Sequence, residues 1–154
     1  MKKVNIFLLL LLGWQLTNSA LAQLPNSVTG TWKRTAMTSV SIDGTTSDDN
    51  ASMLKAMPCS KNITYTFKAD GSIITSVPDE CGAMKKAIES MNGDGKCTMT
   101  GNKVVVTSSI LPPSTYQVEF KGNTMIWYFD YLANPKTLNP GGKSKSLTIV
   151  YTKI

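Results

Sequence analysis

Residues 63–67 read Ile-Thr-Tyr-Thr-Phe, with an apolar side chain at every second position. A two-residue period belongs to a strand that buries one face and wets the other. The same alternation returns in Tyr116, Val118 and Phe120, then in Met125, Trp127, Phe129 and Tyr131, and finally in Leu147, Ile149 and Tyr151. The Thr- and Val-rich segment 27–40 predicts a first strand, and 73–77, 96–100 and 103–108 predict three more. Tight turns separate neighbours: Ala69-Asp70-Gly71, Gly101-Asn102 and Gly122-Asn123 each offer a glycine free to take positive φ. Two stretches depart from the pattern. The polar run 41–50 reads as a loop, followed by a helical turn or two in 51–57, and 79–91 places Ala83, Ala87, Ile88 and Met91 at helical spacing. About eight strands joined mostly by hairpins predict an all-β fold: an eight-stranded up-and-down antiparallel β-barrel with one or two short helices.

Segment 1–22 stands outside this pattern. Lys2 and Lys3 precede an apolar run at 6–12, and Ala20-Leu21-Ala22 supplies a small-x-small cleavage site, which together read as a signal peptide. The apolar run falls short of the roughly 20 residues that span a bilayer. Cleavage after Ala22 leaves Gln23 in front, where a lipid anchor would need a cysteine. The expectation is one domain, 23–154, in an exported bacterial protein, periplasmic or secreted, with no stable membrane insertion once the leader is gone.

The full chain carries a formal charge of +6, and loss of the two leader lysines lowers it to +4. The densest basic spots, Lys85-Lys86 and Lys143 with Lys145, are too sparse to track a phosphate backbone, so nucleic acid is not an expected partner. Histidine is absent, which removes Ser-His-Asp triads, Cys-His dyads and the commonest zinc ligand. Cys59, Cys81 and Cys97 lack zinc-site spacing. The acidic run Asp43, Asp48, Asp49, Asn50 does not reproduce the alternating oxygens of a calcium loop and reads as solvated surface. Asp130 is expected to face outward, without a carboxylate partner for acid/base work. No metal, no cofactor and no enzymatic activity are expected.

An odd number of cysteines in an exported chain predicts one bridge and one free thiol. With Ala69-Asp70-Gly71 as a three-residue hairpin loop, Lys68 faces Ser72, and counting outward brings Cys59 opposite Cys81. That pairing leaves Cys97 as a lone buried thiol. The rival pairing, Cys81 with Cys97, closes a shorter loop and stays open on the sequence.

The order of these segments resembles the small bacterial lipocalin-like domains of cell envelopes. The match consists of Gly30-Thr31-Trp32 opening the first strand, then "CSKNITYTFKADGSI", "CTMTGNKVVV", "STYQVEFKGNTMIW" and a closing "LTIVYTKI". It covers essentially all of 23–154 and lacks the longer motifs of animal lipocalins. The resemblance implies that Trp32 plugs the narrow end of the barrel, that Gly30 lets the backbone approach closely, and that a cation lies over the indole. Lys153 or Arg34 would supply that cation.

Strand alternation sends Tyr65, Phe67, Tyr116, Met125, Trp127 and Tyr151 inward, where a barrel of this size holds either its own side chains or one small ligand. The leading expectation is a carrier of a small apolar molecule, with Arg34 meeting a carboxylate head group if it turns inward, and segments 42–57 and 133–145 framing the mouth. The alternative is a filled barrel acting as a structural or protein-interaction and inhibitor module, in contact through 134–145.

Overall fold

The computed structural model describes residues 23–92, 95–135, 139 and 142–154. The expected leader therefore lies outside the described residues, as does part of the 133–145 loop. Among these residues nine strands and two short helices follow in order: β1 (Gly30–Ser41), β2 (Thr46–Asp48), α1 (Asp49–Ala56), β3 (Thr64–Phe67), β4 (Ile73–Ser76), α2 (Met84–Asn92), β5 (Lys96–Thr100), β6 (Lys103–Thr107), β7 (Ser114–Lys121), β8 (Thr124–Asp130) and β9 (Ser144–Lys153).

Eight of the strands form one antiparallel sheet in the order β4-β3-β1-β9-β8-β7-β6-β5, and β2 is a flap on the far end of β1. Each strand thus lies beside its chain neighbours, and the last pairs with the first. The sheet curls until its edges meet, giving a nearly closed up-and-down barrel. Closure is narrow: Ser72 bridges Lys96, Cys97 N donates to Gly71 O (2.7 Å), and Ile73 N donates to Gly95 O (2.8 Å). Gly71 makes this seam fit. Its φ of +83° turns the β3–β4 hairpin, and a Cβ there would strike the Cys97 carbonyl oxygen.

The hairpin register matches the sequence arithmetic. Lys68 N donates to Ser72 O (2.9 Å), and the ladder continues through Phe67–Ile73 to Thr64–Ser76. Carried outward, it brings Cys59 to Cys81, which are bridged with their Cα atoms 5.4 Å apart. Both cysteines sit in 3-10 turns beyond the strand ends, Pro58–Asn62 and Asp79–Cys81. Cys97 is buried and free, which excludes the rival pairing. Ile63, Val77 and Cys81 form a satellite core beside the bridge, with Ile88 of α2 packed on it.

The boundaries differ from the sequence expectation in three places. Strand β1 starts at Gly30 rather than at 27, because the amides of Val28 and Thr29 both donate to Pro25 O (2.9 and 3.1 Å) in a turn. The polar run 41–50 is only partly loop: it supplies β2 and the first residues of α1, whose N-terminus Asp48 caps by accepting from Ala51 N (2.8 Å). The second helix begins at Met84, after the 3-10 turn that follows Pro78.

The two ends of the barrel are unlike. Short turns at 69–71, 101–102 and 122–123 close one end, and Leu24, Val28 and Trp32 fill it. The longer connections, α1 and α2 among them, gather at the other, open end.

Candidate functional site

The closed end is a packed plug. Trp32 is buried and its indole N–H donates to Val28 O at 2.7 Å, so the ring hides its one polar atom within the chain that precedes it. Lys153, paired with Trp32 across β1 and β9, carries its ammonium 5.2 Å from the ring centroid. Gly30 makes room for that stem: a Cβ at residue 30 would come 2.8 Å from Lys153 Cε, and φ there is +126°. Lys153, and not Arg34, is therefore the cation over the indole.

Arg34 goes elsewhere. It lies two residues along β1, opposite Tyr151, and its Nη2 donates to Met53 Sδ on α1. Its side chain thus enters the barrel beside Tyr151 and Tyr65, whose rings meet edge to face at 5.6 Å. Immediately after Arg34 the β1–β9 register slips, from Arg34–Tyr151 to Ala36–Val150. This bulge moves the inward positions of β1 from even to odd residues: Met37 lies opposite Ile149, and Ser39 opposite Leu147.

Aromatic rings run from the plug towards the open end. Phe67 and Tyr151 both approach Trp127 (5.5 and 5.7 Å between centroids), Tyr116 lies between Trp127 and Phe129 (5.1 Å to each), and Tyr131 meets Phe129 at 4.8 Å. Phe67 and Met125 belong to the floor of this column, and Met125 is 0% exposed. Trp127 is 4% exposed and so is itself core. Among the expected ligand-contacting residues, Tyr116 lines open space. A cavity of about 200 Å³ is bounded by Leu111, Pro112, Ser114, Tyr116, Phe129, Tyr131 and Leu147. A smaller one of about 100 Å³ extends from the same Tyr116 side towards Ile73, Met91 and Val106.

The contribution of the β6–β7 loop, Leu111-Pro112 with Ser114 beyond it, escaped the strand pattern. Its sequence signal is an apolar Ile110-Leu111 pair in a connection otherwise made of serine and proline. Burial raises the pKa of the Tyr65, Tyr116 and Tyr151 hydroxyls, keeping them neutral donors, and pushes the Cys97 thiol up to about 11.

Two of the acidic groups singled out by the sequence are occupied locally. Asp43 accepts from Thr45 N (2.9 Å), which lowers its pKa, and Asp130 accepts from Leu132 N (2.8 Å) and Ala133 N (3.1 Å) at the end of β8. Among the described residues no three His, Cys, Asp or Glu side chains gather as metal ligands, and no helix is long and apolar enough to cross a membrane. No protein-family model, no curated protein and no solved structure matches this chain.

Proposed function

We propose that the protein is an exported, lipocalin-like binding protein that takes a small apolar molecule into the open end of its barrel. The observation that carries this reading is the cavity above the aromatic column, walled by Leu111, Tyr116, Phe129 and Leu147 and lying opposite a sealed, plugged end. Such a site binds by burying apolar surface, with tyrosine hydroxyls as fixing points, and performs no chemistry. The Cys59–Cys81 bridge supports export, because disulfides persist in oxidising compartments. The leader-like segment 1–22 supports it too.

The test is uptake of an apolar fluorescent probe by the 23–154 protein. Ser114→Trp fills the cavity from its wall and should abolish uptake, while Tyr116→Ala should weaken it about tenfold through loss of one aromatic contact. Uptake indifferent to both variants would remove this cavity as the binding site. The packed floor around Met125 favours a second reading, a filled barrel whose surface engages another protein. Absence of any probe uptake by the unaltered protein would favour it.

A further inference from the structure

The outer wall of the barrel carries a groove that shares no residue with the cavity at the mouth. It consists of two hollows, of about 280 and 580 Å³. Lys103, Thr115, Asp130 and Asn134 border the first, and Asn102, Glu119 and Ile126 border the second. Both are lined by Gln117 and Tyr128, which stand directly opposite one another on β7 and β8. One track thus follows the two strands from Asn102, in a turn at the plugged end, to Asn134 beyond β8. Its stretch from Ile126 to Asp130 alone spans roughly 13 Å at the usual rise of a strand.

Tyr128 is 37% exposed, and among the described residues it is the only aromatic in the set of exposed large apolar side chains. Polar groups surround this ring. Gln117 lies across on β7, Lys103 one strand further, Thr148 on the other side on β9, and Asp130 two residues on. Asn134 is held in place, its Nδ2 donating to Asp130 O (2.7 Å), which leaves its own side-chain oxygen to accept. Asp130 takes the amides of Leu132 and Ala133 on one carboxylate oxygen and keeps the other. Among the described residues no hydrogen bond or ion pair ties up the side chains of Lys103, Thr115 or Gln117.

This chemistry narrows the ligand. Strands β7 and β8 are paired along both edges here, so an extended peptide finds no free backbone to join. The track sets Lys103 against Asp130 and Glu119, so a phosphate polymer gains no net attraction. A neutral chain of flat units rich in hydroxyls fits both limits. A pyranose ring turns its electropositive C–H groups to the negative face of an aromatic ring, and each hydroxyl both donates and accepts, as side-chain amides do. We propose that the outer wall of β7 and β8 binds a neutral, extended, β-linked oligosaccharide, with one sugar seated on Tyr128 and its hydroxyls on Gln117, Asp130 and Asn134. The track runs along the strands, so it suits an extended chain and not the coil of an α-linked one. The site is independent of the barrel interior and goes beyond the carrier reading.

The deciding experiment is an amide NMR titration of the 23–154 protein with cellotetraose and N-acetylated chitotetraose, both β-linked, and with α-linked maltotetraose. At least one β-linked tetramer should bind and shift the amides of 115–119 and 126–130, with maltotetraose about tenfold weaker or more. Tyr128→Ala should weaken binding about tenfold, whereas Tyr128→Phe, which keeps the ring, should stay within about threefold. Gln117→Ala should cost about fivefold through its lost hydrogen bonds. Amides away from the groove report in the same spectra that each variant is folded. The proposal is overturned by no binding of either β-linked tetramer at millimolar concentration, by equal binding of maltotetraose, by shifts confined to the mouth, or by binding indifferent to Tyr128→Ala.

Discussion

Lys153 lies across the Trp32 indole because residue 30 has no side chain to stop it. One absent methyl group therefore links the first strand, the last strand and the plug. Gly30→Ala meets two penalties, a positive φ that L residues avoid and a clash with the lysine stem, and should destabilise the barrel by about 1–3 kcal/mol. Urea unfolding followed by Trp fluorescence measures this, and an unchanged midpoint would show that the stem moves aside freely. The plug role of Trp32 came from the resemblance that Gly30-Thr31-Trp32 carries together with the later segments, and the ring is buried with Leu24 and Val28 at the closed end. The setting of Arg34 was only half legible. Its inward position follows from alternation with Trp32, but the bulge that comes next, and the company of Met53 from α1, depend on pairings between strands far apart in the chain.

Among the elements, the β3–β4 hairpin was the easiest to read. A three-residue loop with glycine last fixes the register of the ladder to Thr64–Ser76, and the 3-10 turns beyond it carry Cys59 to Cys81. The bridge closes a loop with a sequence separation of 22, a restraint on the unfolded chain worth about 3 kcal/mol in the entropy picture. The double variant Cys59→Ala/Cys81→Ala should lose about that much stability, and it should do so without altering probe uptake, since the bridge packs on the satellite core of Ile63 and Val77. Loss of uptake in a folded double variant would tie the bridge to the mouth instead. The β2 flap and the Leu111-Pro112 wall of the cavity were not legible. A three-residue strand and a proline-bearing connection have too few residues to show a period, and their placement comes from contacts with other elements.

On the scale of the whole molecule, closure depends on one long ladder and one short seam. Between β4 and β5 the described pairing is a single bridge, Ser72 to Lys96, flanked by the Gly71–Cys97 and Ile73–Gly95 hydrogen bonds. Alternating strands and tight turns pointed to a barrel, but they say nothing of how firmly its edges meet. Across the molecule, β1 and β9 run antiparallel along nearly their whole lengths, and Ile154 N donates to Thr31 O (3.0 Å) where the first strand begins and the last one ends.

That adjacency has a mechanical meaning. A pull applied through Gln23 and Ile154 draws apart the two touching ends of one ladder, so its hydrogen bonds take the load in succession, like the teeth of a zipper. A pull through Gln23 and Lys145, at opposite ends of the same ladder, loads them together in shear. Single-molecule stretching should find the first geometry much the weaker, and equal rupture forces would mean that some other part of the barrel sets its strength. Tethered at Gln23 and Ile154, the barrel should open from the plugged end first, beginning at the Trp32–Lys153 pair.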